Sequence, residues 1–159
     1  MKEQNPILQV KDLTVSFNAF AGKVQAVRGV NFDLNKGETL CIVGESGSGK
    51  SVTNKAIMGI LSKNAVIERG EILYDGMDLT KLTEKQFCQI RGKRIAMVFQ
   101  DPLSALNPIM KVGKQITETL RIHQNLSHEE ARKSAIELMG AVGIPEPEKR
   151  FNQYPFQFS

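Results

Sequence analysis

The sequence predicts an α/β fold: antiparallel strands lead into a strand–loop–helix unit, and a helical stretch follows. Three observations carry this. Leu13-Thr-Val-Ser-Phe17 and Val30-Asn-Phe-Asp-Leu34 alternate apolar and polar residues with the period of half-buried strands. The apolar run Thr39-Leu-Cys-Ile-Val43 is followed by a glycine-rich loop, and then by Val52, Ala56, Ile57 and Ile60 on one helical face. From Val112 onward the spacing is helical, with Val112, Ile116 and Leu120 recurring at every fourth position. Strands that precede the strand–loop–helix unit, rather than alternating with helices, point to a small β-subdomain attached to an α/β core.

The elements follow in order. Leu8 and Val10 are in the opposite phase to Leu13, so a bulge or bend is expected near Asp12. Asn35-Lys36-Gly37 is a turn. The helix after the glycine loop is expected to run to about Leu61. Gly70 to Gly76 reads as a strand closed by an Asp75-Gly76 turn. Thr83 with Gln86 caps a short helix through about Ile90. Ile95 to Phe99 has the continuous apolar pattern of a buried strand. Gln100 to Pro108 holds two prolines and no period, so it is a loop. Ser127 and Glu130 form a capping-box pattern before Ala131, Ala135, Leu138, Met139 and Val142, and Gly143 and Pro145 end that helix. The stretch from Phe151 to Ser159 holds three phenylalanines and a tyrosine, an unusual concentration for a terminus.

The 159 residues suffice for one domain with one sizeable core. No apolar run approaches a membrane span, and the start MKEQNPILQV lacks the apolar region of a secretory signal, so a cytoplasmic protein is expected. Cys41 and Cys88 stand in unrelated contexts without a C-x-x-C partner, and Cys41 reads as a small core residue of its strand. The net charge of +4 arises in the second half, where twelve basic residues face eight acidic ones. The densest cluster, Arg91, Lys93 and Arg94, is too short for a nucleic-acid tract and reads as solvated surface, so no nucleic-acid partner is expected.

Gly44-Glu-Ser-Gly-Ser-Gly-Lys-Ser51 matches G-x-x-x-x-G-K-[ST] at every fixed position. A triphosphate needs donors packed closely around its β- and γ-oxygens. Glycines let backbone N–H groups turn inward, and the helix that follows aims its unpaired N–H groups and its positive dipole end at the anion. Residues Gly44, Glu45, Ser46, Gly47, Ser48, Gly49, Lys50, Ser51 and Val52 are the expected nucleotide contacts. Lys50 would reach the β/γ-phosphates as a point charge, and the Ser51 hydroxyl would ligate Mg²⁺. The loop belongs to GTPases, kinases, motors, helicases and transport ATPases alike. Asn54-Lys55-Ala56-Ile57 begins a guanine motif but lacks its aspartate, and a D-x-x-G switch is absent, which argues against a GTPase. Asp75 and Asp101 each follow an apolar run and imitate the metal-holding aspartate of a Walker B strand. Gly76 makes the first a strand–turn, and Gln100 intervenes before the second.

Further stretches narrow the class. Val24-Gln-Ala-Val-Arg-Gly-Val-Asn-Phe32, Gly37 to Ser51, Gly70 to Gly76, Val98-Phe-Gln-Asp-Pro-Leu-Ser-Ala-Leu-Asn-Pro108 and Tyr154 to Ser159 together resemble the ATP-binding subunit of an ABC transporter, of the oligopeptide/dipeptide importer type. The resemblance runs from about Leu8 to Ser159. It implies an incomplete P-loop nucleotidase core (38–64 and 93–100), an N-terminal antiparallel β-subdomain (about 7–37 and 65–80) and part of a helical subdomain with the Q-loop (101–159). It implies ATP and Mg²⁺ as cofactors. Gln100 would be the Q-loop glutamine, which ligates Mg²⁺ and approaches the attacking water, so Lys50 and Gln100 are the expected catalytic residues. Phe17 would stack on adenine, with Phe20 as the alternative; as a strand residue Phe17 also reads as plain core.

The family pattern continues with a signature that Phe158-Ser159 would open, then a Walker B strand, a catalytic glutamate and a switch histidine. His123 and His128 lie before that signature and do not match the switch position. The resemblance therefore implies the N-terminal portion of an ATPase subunit, docked on membrane permeases at the cytoplasmic face and paired with a second ATP-binding subunit. This portion is expected to bind ATP weakly and not to turn it over. A non-catalytic nucleotide-binding or interaction protein is the alternative.

Overall fold

The computed structural model describes residues 6–20 and 22–158. They form two compact units divided between Arg91 and Gly92.

The first unit is built on an antiparallel sheet of β1 (Leu8–Ala19), β2 (Gly22–Leu34), β3 (Ala65–Tyr74) and β4 (Met77–Asp78), in the order β2-β1-β3-β4. Two helices join it, α1 (Lys50–Ile57) and α2 (Glu84–Ile90). The expected irregularity is present at Asp12. Its φ is 45°, and the register slips between Val10 and Leu13 against β2 and between Lys11 and Thr14 against β3. Both neighbouring strands hold the bulge. Asp12 N–H donates to Asn31 Oδ1 at 2.8 Å, and Arg69 Nε lies 2.9 Å from Asp12 Oδ2. Gly70 takes φ 96°, and a Cβ there would stand 2.5 Å from the Asp12 carbonyl oxygen, so only glycine lets β3 pass.

The bulge puts Val10 on one parity and Leu13 and Val15 on the other, yet all three are buried, with Val27, Ile72 and Leu79. Thr14 and Ser16 are buried as well, because β1 has a strand on each side. The Thr14 hydroxyl is satisfied by accepting from Gly29 N–H at 3.1 Å. β3 starts five residues before the expected Gly70, and Ala65, Val66 and Ile67 pair with Phe17, Ser16 and Val15. Asp75 (φ 49°) and Gly76 (φ 77°) form the two-residue turn that closes β3 onto β4.

Helix α1 stops at Ile57, short of the expected Leu61. Gly59 (φ 63°) ends it in a Schellman motif: Ile60 N–H donates to Lys55 O at 2.9 Å and Gly59 N–H to Ala56 O at 3.0 Å. Thr83 begins α2 as expected, with Gln86 Oε1 accepting from Thr83 N–H at 2.8 Å. The reading of the basic cluster as solvated surface fails for Arg91. Its side chain is mostly buried, donating to Met58 O at 2.8 Å and Gly59 O at 3.0 Å, forked onto Glu84 and lying 4.6 Å over the Phe87 ring.

Two expected strands are absent. Thr39–Val43 has no ladder partner among the described residues, and Leu40, Cys41, Ile42 and Val43 are exposed, so Cys41 is not a core residue. Ile95–Phe99 likewise forms no strand, with Val98 and Phe99 exposed. A strand is a paired object: its N–H and C=O groups need a neighbour, and apolar composition alone does not supply one.

The second unit is helical: α3 (Val112–Gln124), α4 (His128–Ala141) and α5 (Pro147–Phe151). Leu120, Ala131 and Ala135 form its core, with Ile116, Leu126 and Phe151 packed against them. The Ser127–Glu130 box forms in both directions, at 2.9 and 3.3 Å. Gly143 (φ 81°) ends α4's last turn as expected, with Ile144 N–H on Met139 O at 3.0 Å. The aromatic stretch is ordered by its neighbours. Phe151 sits flat against Gly113, where a Cβ would collide with its ring, and Tyr154 stacks on Phe156 at 5.7 Å.

Candidate functional site

The glycine loop passes from Gly44 directly into α1. Gly47 (φ 84°) and Gly49 (φ 92°) both need the left-handed region, and Gly49 also needs the absence of a side chain. A Cβ on Gly49 would stand 2.5 Å from Ala26 O, so β2 presses on the junction of loop and helix. That contact fixes where α1 begins. The first-turn N–H groups of Lys50, Ser51 and Val52 have no intrahelical acceptor by construction. The helix therefore presents a positive end with no acidic residue in its first turn and no side-chain cap. Thr53 is buried below, its hydroxyl donating back to Gly49 O at 3.1 Å.

Lys50 folds over the loop. Its Nζ donates to Gly44 O at 2.6 Å, Glu45 O at 2.7 Å and Ser48 Oγ at 3.1 Å. Ser48 N–H donates to Glu45 O at 3.2 Å, closing a turn. Glu45, Ser46, Gly47, Ser48 and Ser51 are exposed, and Val52 is half-buried. The loop, its lysine and the helix end thus share one open surface of the first unit. A lysine ammonium, the uncapped N–H groups of the first helical turn and a first-turn hydroxyl make a donor set for an anion carrying several oxygens. Among the described residues no group of three or more His, Cys, Asp or Glu is placed to hold a metal ion.

Phe17 lies near the end of β1, half-buried, paired with Val24 on β2 and Ala65 on β3. Phe20 is fully exposed just past β1. Gln100 is exposed in the second unit, at the bend that opens a series of turns. Asp101, the Walker B imitator, is used as a turn residue. Its Oδ1 accepts from Leu103 N–H at 3.2 Å and Ser104 N–H at 3.4 Å, a common role for aspartate before proline. Gln115, which the sequence did not single out, pins the same loop. Its amide accepts from Asn107 N–H at 3.0 Å and donates to Asn107 O at 3.0 Å and Met110 O at 2.9 Å. No local pattern marks it, because its partners lie in an irregular segment. His128 is exposed, whereas His123 is half-buried with Nε2 against Gly92. Ser159, with its expected place in the signature, lies outside the described residues.

Comparison with known proteins finds relatives over nearly the whole chain. The oligopeptide transport ATP-binding protein OppD of Bacillus subtilis is 59% identical over 154 residues, covering 96% of this chain and 43% of that protein. The dipeptide transport ATP-binding protein DppD of Lactococcus lactis is 52% identical, covering 98% of this chain and 45% of that protein. The chain thus spans less than half the length of these curated relatives. Among solved structures, a dimeric ATP-binding cassette in a post-hydrolysis state with ADP and Pi superposes with a TM-score of 0.80 at 27% identity, covering 96% of this chain and 63% of that one. No described helix is long and apolar enough to cross a membrane. The family model for ABC transporters matches residues 27–159, from the middle of β2 through the phosphate loop and the whole helical unit, and the chain belongs to the ABC transporter family.

Proposed function

We propose that this chain is the Mg·ATP-binding part of the ATPase subunit of a peptide-type ABC importer. The observation that carries the reading is the position of Lys50: its ammonium is gathered into the loop at the bare N-terminal end of α1. Residues Gly44 to Val52 would hold the phosphates. Ser51 and Gln100 would give Mg²⁺ its protein ligands, the phosphates and water supplying the rest. Gln100 would also orient the attacking water, and Phe17 would stack on adenine.

The names of the relatives support a transport ATPase for peptides, and the dimeric solved cassette supports a second ATP-binding subunit as partner. Permeases would dock on the Q-loop and helical unit, where a cavity of about 560 Å³ on α3 is lined by Met110, Lys114, Thr117, Glu118, Arg121 and Ile122. The protein would then act at the cytoplasmic face of the membrane. The division into β-subdomain (7–37 and 65–80), core (38–64 and 93–100) and Q-loop with helical subdomain (101–159) is part of the proposal.

For these 159 residues we expect weak binding and no turnover. Titration of a fluorescent ATP analogue with Mg²⁺ tests this, with Lys50→Ala as control. Lysine-dependent binding without phosphate release supports the reading. Binding that ignores Lys50→Ala, or sustained phosphate release, overturns it.

A further inference from the structure

We propose that Ser48 is a positioning residue that latches Lys50 inside the loop, so that nucleotide entry requires the lysine to let go. The inference rests on the phosphate-site reading and concerns the regulation of that site.

An ammonium has three N–H donors and no acceptor. The loop supplies three acceptors, Gly44 O, Glu45 O and Ser48 Oγ, at 2.6, 2.7 and 3.1 Å. Lys50 is therefore saturated by its own loop, and a phosphate oxygen must displace one of the three. Two are backbone carbonyls, which any sequence would provide. Only the hydroxyl is a side-chain choice, and its bond is the longest, so it is the partner that yields.

The hydroxyl is held in place. Ser48 Oγ stands 2.8 Å from where a Gly44 Cβ would be, so the bare glycine makes room for it to lie across the loop. Glu45 O accepts from both Ser48 N–H and Lys50 Nζ, tying the latch to the turn. On the far side of the loop Gly49 passes so close to β2 that an added Cβ would stand 2.5 Å from Ala26 O, which leaves little room for movement there. Opening is confined to Glu45–Ser48.

A binding-competent state that is only partly populated lowers apparent affinity by its population. Removing the latch raises that population. Ser48→Ala should tighten Mg·nucleotide binding about three- to tenfold, while Ser48→Thr, which keeps the hydroxyl, should track the wild type.

The test is stopped-flow binding of a fluorescent ATP analogue with Mg²⁺ to the wild-type chain, Ser48→Ala, Ser48→Thr and Lys50→Ala. We expect the wild-type rate to saturate at the opening rate and Ser48→Ala to raise that plateau. A linear wild-type dependence, or equal or weaker binding by Ser48→Ala with Lys50→Ala inactive, overturns the latch and leaves the phosphate site standing. Undiminished binding by Lys50→Ala overturns the site itself. A nucleotide-free readout runs beside it: ¹⁵N spectra of the lysine ammonium groups. A slowly exchanging Lys50 signal in wild type and Ser48→Thr, lost in Ser48→Ala, supports the latch; the same signal in all three overturns it.

Discussion

Arg91 closes the C-terminal end of α1 on Met58. Its Nε donates to the Met58 carbonyl at 2.8 Å and its Nη2 to Gly59 O at 3.0 Å, while Glu84 accepts from the other face of the fork. The helix that carries the phosphate loop at one end is thus held by a guanidinium at the other. Terminal carbonyls and a cation are favourably matched there, and the planar fork serves both carbonyls and the carboxylate at once. Arg91→Ala should cost about 2 kcal/mol of stability. Arg91→Lys should recover less than half, because a point charge cannot span these acceptors. Urea unfolding at neutral pH measures both.

Acid should act on the same clamp. The hydrogen bond from Arg91 holds the Glu84 carboxyl below its usual value of 4.5. A depressed folded-state pKa gives stability that is fully present above the unfolded pKa and is lost as pH falls through the folded one. The stability difference between wild type and Glu84→Gln should therefore be constant near neutrality and shrink below about pH 4.5. Thermal melts by circular dichroism across that range would show it; a difference that persists unchanged to pH 3 would refute the linkage.

Gly49 should tolerate no side chain. Its φ of 92° and the Ala26 carbonyl at 2.5 Å from a built Cβ act together. Gly49→Ala should lower stability by about 2 kcal/mol and abolish nucleotide binding, because relief must come from moving the loop off β2. Retained affinity in a titration would show that the loop can shift without losing its donors.

The same reasoning applies at Gly113, where Phe151 covers the Cα. Gly113→Ala should destabilise the helical unit by about 1–3 kcal/mol. In a double-mutant cycle with Phe151→Leu most of that cost should vanish, since the smaller side chain leaves room. An additive cycle would mean that the two do not meet in solution.

For the nucleobase, Phe17→Ala should weaken ATP binding by about 1–2 kcal/mol and Phe20→Ala by far less. Reversed effects in parallel titrations would move the stacking role to Phe20.

What could be read from the sequence was what is written locally. The Asp12 bulge showed as a clash of parity between Val10 and Leu13, and the Ser127–Glu130 box as two residues three apart. The phosphate loop was legible because glycine, lysine and serine at fixed spacing have one chemical use. What failed depended on distant partners. Arg91 reads as a surface cation until Met58 and Gly59, 33 and 32 residues earlier, are brought to it. Thr39–Val43 has the composition of a buried strand, but no composition reveals whether a neighbour is there to pair with it. Gly59 was a missed signal, a helix stop hidden inside an apolar period.

The bulge at Asp12 also limits how far its own disturbance travels. In a strand, one residue more or less exchanges the two faces for everything downstream. Here the step is fastened by Asn31 on one neighbour and by Arg69 and Gly70 on the other. Against β3 it is absorbed at once, since Thr14 faces Arg69 while Val15 and Ile67 are back in the register of Leu8 and Tyr74; against β2 the strand shifts again on either side of Val15. The irregular stretch therefore works as a buffer: β1 leaves the ladder at Asp12 and rejoins β3 in its old register by Val15, so the strand bends there without displacing the pairing of Phe17 with Ala65.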